Sequence, residues 1–134
     1  RTKKANDVHE GKWNGLWGKF EDGETPEECM IRELEEESWL RAAKWSMKGI
    51  LTAPQFSHGK DWYIFIYIVE EFTGELIECK EGELARIPQE KLLELNLREG
   101  DRQFLRLIFE PWFLSIKAIY EDGHYISTDI IRQE

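Results

Sequence analysis

The sequence predicts a single α/β domain that spans residues 1–134, with a mixed sheet and a few helices. Three observations support this prediction. The chain has 134 residues, of which 41% are hydrophobic, and this composition fits one compact domain. One helix has strong start signals, and several apolar runs rich in β-branched and aromatic residues are separated by turn residues. This mixture of helices and strands favours an α/β or α+β sandwich.

The clearest element is a helix predicted over residues 25–38. Thr25 has the position of an N-cap and Pro26 that of a first-turn proline. Glu28, three residues after Thr25, completes a capping box. The helix is expected to end near Ser38. It carries a narrow apolar stripe that can dock on a sheet, formed by Met30, Ile31 and Leu34.

The middle of the chain predicts a hairpin followed by another strand. Residues 48–56 and 61–72 are rich in β-branched and aromatic residues, and residues 57–61 between them have turn composition. The second of these strands is hydrophobic almost throughout, so we expect it to lie centrally in the sheet. A further strand is predicted within residues 74–87, interrupted by a turn at Glu81-Gly82.

The last third of the chain predicts two short helices and a second hairpin. Residues 88–97 and 100–112 carry apolar residues at helical spacing, with Pro88 and Gly100 as boundaries. Within residues 113–131, an Asp-Gly pair lies between two alternating apolar runs, which is a strong hairpin signal. The tail is therefore expected to form a two-stranded ribbon.

Charge and cysteine content exclude several classes of partner. The net charge of −9 disfavours binding to a nucleic acid polymer or an anionic membrane, because both would repel the protein. Cys29 and Cys79 form neither a CxxC pair nor a disulfide framework, which fits a reducing cytoplasm. No apolar run has the length of a membrane span. We expect a cytoplasmic monomer or homodimer with no membrane partner.

The predicted helix concentrates negative charge on one face. Glu36 and Glu37 follow Glu33 by three and four residues, so the three side chains project from one face. Like charges at this spacing destabilise a helix, and the later ones lie near its negative end. A hard divalent cation explains the arrangement, since Mg²⁺ takes oxygen ligands and leaves positions for substrate phosphates. A solvated acidic face is the alternative that these residues alone leave open.

A longer pattern around this helix resembles the Nudix box. Gly18 is followed after five residues by Glu24, and after seven more by Arg32 and the acidic face already described. Nudix proteins are hydrolases that cleave nucleoside diphosphates linked to another group. The resemblance implies an α/β/α sandwich with a mixed central sheet, in which the box helix covers about residues 25–38. Residues from Lys12 onward fit this family.

The resemblance implies roles for the box residues. Glu33, Glu36 and Glu37 match glutamates that bind Mg²⁺, with Mn²⁺ as an alternative, or that orient and deprotonate water. Glu24 and Arg32 match a pair that braces the loop against the helix. From the residues alone, Arg32 is also placed to form an ion pair with Glu36 one turn later.

Further site residues follow from the same resemblance. The backbone carbonyl of Trp17 falls where the family has a metal ligand. Glu81 falls where several members supply another metal-binding or basic carboxylate, and an exposed turn residue is the alternative. Gly18 and Lys19 are the candidates for contacts with the phosphates.

Other segments are similar to the MutT-like branch, which includes enzymes that cleave 8-oxo-dGTP. Asn14 lies in a "WNG" stretch whose asparagine contacts the nucleobase in that branch. Glu99 and Asp101 lie in a segment whose acidic residues can contact a purine. The alternative for Asp101 is that it caps the N-terminus of a helix.

The chain departs from the family pattern at two glycine positions and at its start. Trp17 and Trp39 replace glycines, and a residue at the position of Trp39 commonly requires a positive φ, which strains tryptophan. The alternative is that these rings pack into or cover the core. The family places a strand or two before the segment that matches the first residues here, and we expect the chain to lack them. If the chain begins at Arg1, the sheet has an exposed edge, unless another chain completes it, the fold is rearranged or the sequence omits residues of the natural protein.

The sequence therefore predicts Mg²⁺-dependent hydrolysis of a nucleoside triphosphate to the monophosphate and pyrophosphate. An oxidised purine nucleotide such as 8-oxo-dGTP is one candidate substrate. The alternative is a catalytically impaired or engineered Nudix-fold module that binds a nucleotide or a protein. The two hypotheses differ in whether ligand binding is followed by turnover.

Overall fold

The computed structural model describes residues 18–57, 59–76 and 87–133. These residues form two compact units. The first unit contains residues 18–45, 69–76 and 87–98, and the second contains residues 46–57, 59–68 and 99–133. The predicted single domain stays a prediction, as does the strand at residues 74–87, most of which lies outside the described residues.

The first unit is built around helix α1, Pro26–Ser38, which confirms the predicted helix. It also contains a short 3₁₀ helix, Gln89–Glu94, where the sequence predicted a regular helix over residues 88–97. The segment has six residues and ends at Glu94, with Leu95 as its C-cap, so it is too short for a stable α-helix.

The second unit contains most of the sheet. The four strands are β1 (Arg41–Ser57), β2 (Lys60–Thr73), β3 (Phe113–Glu121) and β4 (His124–Gln133). The first residues of β1, 41–45, and the last residues of β2, 69–73, belong to the first unit. The strand order is β2-β1-β3-β4. β1 pairs with β3 in parallel, and β3 pairs with β4 antiparallel, so the sheet is mixed as predicted. Helix α2, Glu99–Leu105, precedes β3.

The core of the second unit lies between β1 and β3. Leu51 is paired with Ile116 in the parallel register, and both side chains are buried. Leu114 is 1% exposed, so these two central strands supply the best-protected side chains of the described core. Half-buried side chains from β2, β4 and the α2 region pack against this cluster, among them Trp62, Ile64, Phe104, Leu107 and Ile130.

The predicted central position of β2 is wrong for the described strands, because β2 is an edge strand and β1 and β3 are central. The cause is visible in its burial pattern. Its apolar residues are half-buried rather than buried, while Tyr63 is 62% exposed. The continuous apolar run of β2 is explained by partial burial on both faces of the strand. Such a run predicts a strand but does not predict its position in the sheet.

The second hairpin is confirmed, but it is not an isolated ribbon. Asp122 and Gly123 have φ values of 49° and 78°, the positive values that a tight type I′ turn requires. β3 then joins the sheet through its parallel register with β1, from Gly49↔Leu114 to Thr52↔Lys117.

Among the described residues, no helix has the length and apolar character needed to cross a membrane.

Candidate functional site

The start of α1 is fixed by the predicted capping box. The amide of Glu28 donates to the Thr25 hydroxyl at 3.1 Å, and the amide of Thr25 donates to the Glu28 carboxylate at 3.2 Å. Pro26 occupies the first turn, where its missing N–H is not needed. These contacts set the start of the helix and therefore the positions of the carboxylates on its later turns.

Arg32 joins the preceding loop to α1. Its guanidinium contacts both oxygens of Glu24, with Nε to Oε2 at 2.7 Å and Nη2 to Oε1 at 2.9 Å. Nη2 also donates to the backbone carbonyl of Lys19 at 3.0 Å. A planar guanidinium provides this two-point contact, which a lysine ammonium cannot reproduce. The predicted Glu24–Arg32 pair is thus present in the structure, and its role stays a prediction.

The other end of the same guanidinium contacts the acidic face. Nη1 lies 2.7 Å from Oε1 of Glu33 and 3.1 Å from Oε2 of Glu36, so the predicted pair one turn apart is present. Hydrogen bonds with Glu24 and Glu33 raise the pKa of Arg32 above its already high ordinary value. One fixed positive charge therefore lies between two carboxylates of this face.

Glu24 is held in its ionised form. Its hydrogen bonds from the Arg32 side chain and from the backbone amide of Glu21, the latter at 2.7 Å, lower its pKa from 4.5 to about 2. The side chain of Glu24 is 14% exposed. A carboxylate that titrates this low remains charged at any pH at which the protein is normally handled.

Gly18 lies directly against Glu33. A Cβ atom added to Gly18 would overlap the carboxylate carbon and both carboxylate oxygens of Glu33. The absence of a side chain at Gly18 therefore allows the loop backbone to approach this carboxylate, which Arg32 holds from the other side. Two of the predicted site residues are brought into contact by this arrangement.

Cys29 belongs to the same region, although the sequence reasoning assigned it no role there. Its thiol is 3.9 Å from the Gly18 carbonyl and 3.9 Å from Nη2 of Arg32. Burial raises the pKa of the Cys29 thiol, and the nearby charge of Glu24 adds to this effect. The signal that could have found this residue is its spacing, since Cys29 precedes Arg32 by three residues on one helix face.

The three carboxylates of the acidic face differ in burial. The Glu36 side chain is 58% exposed and that of Glu33 is 17% exposed, whereas Glu37 as a residue is 7% exposed. Glu37 has interactions with other groups, but its Oε2 is a buried atom that accepts no hydrogen bond. Glu37 is therefore the most protected acid of the face.

Trp39 ends the helix in a left-handed conformation, with φ 62° and ψ 12°. Its amide donates to the carbonyl of Glu35 at 2.9 Å, so α1 remains regular through Ser38 and the turn that carries Glu36 and Glu37 is intact. The expected strain at Trp39 is thus confirmed by its positive φ. The alternative that the Trp39 ring packs into the core is wrong, because Trp39 is 65% exposed. Whether the ring covers the core stays a prediction.

Replacing Trp39 with glycine is expected to stabilise the protein. Glycine adopts positive φ without the Cβ clash that costs other residues on the order of 1–2 kcal/mol. The matched control is Trp39→Ala, which also removes the ring but keeps the Cβ. Urea unfolding should show Trp39→Gly more stable than Trp39→Ala by about 1 kcal/mol. Equal stability of the two variants would contradict strain at this position.

The remaining candidates are Trp17, Asn14, Glu81, Glu99 and Asp101. Trp17, Asn14 and Glu81 lie outside the described residues. Glu99 and Asp101 belong to the second unit, at the start of α2.

Glu99 opens α2 and uses its carboxylate within that helix. It accepts from Gln103 at 2.6 Å and lies 3.8 Å from Nε of Arg102. Asp101 is the third residue of the helix, so the prediction that it caps the N-terminus is wrong. The helix starts at Glu99, one residue before the predicted boundary at Gly100, so Gly100 lies inside it.

Comparison with known proteins identifies the family to which this chain belongs. The chain matches the NUDIX domain over residues 1–108, and it belongs to that family. It is 28% identical over 99 residues to the uncharacterized Nudix hydrolase YvcI of Bacillus subtilis strain 168, a match that covers 71% of this chain and 63% of that protein. The chain thus spans less than two thirds of the length of this curated relative.

Solved structures support the same fold. The mutator MutT protein from Bacillus halodurans is similar with a TM-score of 0.81 and 28% identity, covering 90% of this chain and 82% of the other. The E. coli ORF135 protein matches with a TM-score of 0.64 and 23% identity, covering 78% of this chain and 73% of the other. The predicted Nudix fold is therefore confirmed, and the second match supports the fold alone.

The acidic face has the donor chemistry of a magnesium site. Its candidate ligands Glu33, Glu36 and Glu37 offer only carboxylate oxygens, which hard divalent cations prefer. Within the described part of the chain, no group of three acidic, histidine or cysteine side chains is arranged to hold a metal ion. The guanidinium of Arg32 contacts Glu33 and Glu36 instead. The residue types fit the cation. For it to bind, Glu33 and Glu36 would have to replace their contacts with Arg32 by contacts with the cation.

Proposed function

We propose that this protein hydrolyses a nucleoside triphosphate, with Mg²⁺ as cofactor and Mn²⁺ as the alternative, to the nucleoside monophosphate and pyrophosphate. Membership of the NUDIX domain family supports a hydrolase of nucleoside diphosphate linkages. The similarity to a mutator MutT protein supports the triphosphate as substrate. An oxidised purine such as that of 8-oxo-dGTP is the base to test first.

One observation carries the proposal, namely the contact of the loop with the acidic face of α1. Arg32 contacts Glu24 of the loop together with Glu33 and Glu36 of the face, and Gly18 touches Glu33. An acidic face on a solvated helix does not require a bare backbone segment held against it. A phosphate site does, because the phosphates must approach both the backbone and the ligands of the cation.

The roles assigned to the residues follow from the resemblance to the Nudix box. Glu33, Glu36 and Glu37 would hold the cation, together with the Trp17 carbonyl and Glu81. When bound, the cation neutralises charge on the phosphate oxygens of the substrate.

Hydrolysis itself requires a water molecule and a base. Water attacks the α- or the β-phosphorus, and a carboxylate accepts the proton of the water. The bond from the attacked phosphorus to the oxygen that bridges the α- and β-phosphates breaks, so that pyrophosphate leaves in the first case and the nucleoside monophosphate in the second. Glu37, Glu33 and Glu81 are the candidate bases. Lys19 and the backbone at Gly18 are the candidate contacts of the phosphates.

The direct experiment is to incubate a panel of nucleoside triphosphates, including 8-oxo-dGTP, with the protein in the presence of Mg²⁺ or of a chelator. Ion-exchange chromatography separates the products. We expect equal amounts of monophosphate and pyrophosphate, formed only with the metal. Release of orthophosphate and a diphosphate would contradict the proposed cleavage site. Metal-dependent binding without any product would support the alternative of a binding module.

Placing a methyl group on Gly18 is expected to impair this reaction. Because the Cβ of Gly18→Ala would overlap the Glu33 carboxylate, that carboxylate or the loop must shift, and we expect kcat/KM to fall by about 10²-fold. The double variant Gly18→Ala/Glu33→Asp tests whether this overlap causes the loss, because the aspartate side chain is one methylene shorter and its carboxylate lies farther from residue 18. The two losses should be less than additive in the double variant. Fully additive losses would show that Gly18 acts through something other than Glu33.

Location and assembly remain predictions of the same proposal. A cytoplasmic location fits the two cysteines without a disulfide framework, and Cys29 is a free, buried thiol. The protein is proposed to act as a monomer or homodimer. A net charge of −9 supports a nucleotide rather than a nucleic acid polymer as partner.

A further inference from the structure

One nitrogen of the Arg32 guanidinium contacts two carboxylates of the acidic face at once. Nη1 lies 2.7 Å from Oε1 of Glu33 and 3.1 Å from Oε2 of Glu36. These carboxylates are two of the candidate ligands of the cation, and they lie with Arg32 in the first unit. The guanidinium therefore holds two oxygen atoms that a cation at this face would need.

The other two nitrogens of the guanidinium make contacts that do not compete with a cation. Nε and Nη2 contact the carboxylate of Glu24, and Nη2 donates to the carbonyl of Lys19. Neither acceptor is a candidate ligand of the cation. The Glu36 side chain is largely exposed, which gives its carboxylate room to turn away from Nη1. The contacts made by Nη1 can therefore be lost while the contacts with the loop remain.

The contacts of Nη1 compensate like charges within one turn of the helix. Glu33 and Glu36 are three residues apart on α1, and two carboxylates at this spacing destabilise a helix. Nη1 forms ion pairs with both of them. When no metal ion is bound, Arg32 is therefore the counterion of this part of the acidic face.

The exchange of this counterion for a metal ion depends on charge. A monovalent ion carries no more charge than the guanidinium and lacks its directed hydrogen bonds, so it gains little by replacing Nη1. A divalent ion carries twice that charge and attracts both carboxylates more strongly at the same distance. A guanidinium nitrogen that stayed on the same carboxylates would then lie beside a like charge, which disfavours its contacts there.

We propose that Arg32 is the exchangeable counterion of the acidic face and makes this face selective for divalent over monovalent cations. Glu33 and Glu36 leave Nη1 when a divalent cation binds, whereas Glu24 stays with Nε and Nη2. Arg32 is thus a positioning residue that braces the loop in both states and competes for two ligands of the cation. The inference rests on the proposed function, since it takes the acidic face as the cation site.

A bracing role alone predicts a different response to the cation. In that case Nη1 would keep its contacts with Glu33 and Glu36, and the cation would be held by other groups. The state of Nη1 in the presence of Mg²⁺ therefore separates the two roles.

The first test follows the Arg32 guanidinium in NMR spectra of the full chain with isotope-labelled arginine. The variant Arg32→Lys lacks these signals and therefore assigns them. Hydrogen-bonded Nη groups rotate slowly and give separate hydrogen signals, whereas the signals of free groups average. Mg²⁺ is diamagnetic and leaves the signals visible, and calorimetry gives the Mg²⁺ concentration that saturates the protein. KCl at the same ionic strength is the control.

Saturating Mg²⁺ is expected to shift and average the Nη1 signals, while the Nε signal, which reports on the contact with Glu24, stays unchanged. KCl should change neither signal. The inference would be overturned by Nη1 signals that saturating Mg²⁺ leaves unchanged, by an equal change in KCl, or by the absence of Mg²⁺ binding.

A second measurement tests the selectivity. The Kd of Mn²⁺ is obtained from the electron paramagnetic resonance signal of the free ion, in KCl and in tetramethylammonium chloride, whose cation is too large to bind between carboxylates. In the wild type the two salts should give the same Kd. In Arg32→Gln the Kd should be about threefold weaker in KCl, because K⁺ then competes for the face. Arg41→Gln removes an exposed charge on β1 and should behave as the wild type.

The same ratio of Kd values in Arg32→Gln and in the wild type would overturn the proposed selectivity. The hydrolysis assay described above decides the proposed function separately. Formation of products with unchanged Nη1 signals would refute this inference alone, whereas exchanged Nη1 contacts without any product would refute the proposed function alone.

Discussion

Glu37→Gln is expected to lower the rate of pyrophosphate release by about 10²- to 10⁴-fold, the usual contribution of a positioned acid or base. Glu37 is the least exposed carboxylate of the α1 face, at 7%. Burial removes water from around a carboxylate, so its electrostatic interaction with a cation is stronger than that of an exposed carboxylate. Glutamine has the same shape, so the helix should form as before. Steady-state kinetics with saturating Mg²⁺ measures the effect.

The matched control for this variant is Glu35→Gln. Glu35 is on the same helix but is exposed and is not part of the acidic face. We expect Glu35→Gln to retain wild-type activity within about twofold, because surface substitutions away from the reacting groups have small effects. Equal losses in the two variants would mean that total charge on α1 matters rather than Glu37, and the assignment of this residue would be wrong.

Arg32→Lys is expected to reduce kcat/KM by about 10²-fold, although it preserves the charge. The guanidinium contacts Glu24 at two points and reaches Glu33 and Glu36 with its remaining nitrogen. A lysine ammonium cannot make these contacts at once, so the loop and Glu33 should lose their fixed positions. Arg41→Lys, at an exposed position at the start of β1, is the control and should behave as wild type. Activity of Arg32→Lys close to wild type would contradict a bracing role.

The same ion pair predicts a pH dependence of stability. The pKa of Glu24 is lowered from 4.5 to about 2 by Arg32, so the folded state binds its proton less tightly than the unfolded state. The stabilisation is therefore complete above pH 4.5 and is lost as the pH falls towards 2. Urea unfolding over this range should show a shallower loss of stability in Glu24→Gln than in the wild type. Identical slopes would contradict the lowered pKa.

The sequence was most informative where local rules decide the structure. The capping box of Thr25 and Glu28 predicted the start of α1, and the spacing of Arg32 and Glu36 predicted their contact, because both depend on helix geometry alone. The positive φ at Trp39 followed from the usual geometry of a helix end. These features needed no knowledge of the rest of the chain.

One error, the position of β2, and two features that the sequence did not predict depend on neighbours distant in sequence. An apolar run gives a strand but not its position in the sheet, so β2 was placed centrally although it is an edge among the described strands. The contact of Gly18 with Glu33 depends on the path of the loop, which Arg32 determines. The left-handed conformation of Gln55 has no sequence signal, because glutamine rarely adopts it. In each case the deciding interaction is tertiary.

The position of the cation is the central claim, and anomalous diffraction tests it most directly. Crystals grown with Mn²⁺ and a non-hydrolysable nucleoside triphosphate should show a strong anomalous peak within coordination distance of Glu33, Glu36 or Glu37 and of the phosphates. The Arg32–Glu24 contact should remain in those crystals. A bound nucleotide whose phosphates lie away from α1, or a Mn²⁺ ion held by other residues, would contradict the proposed site.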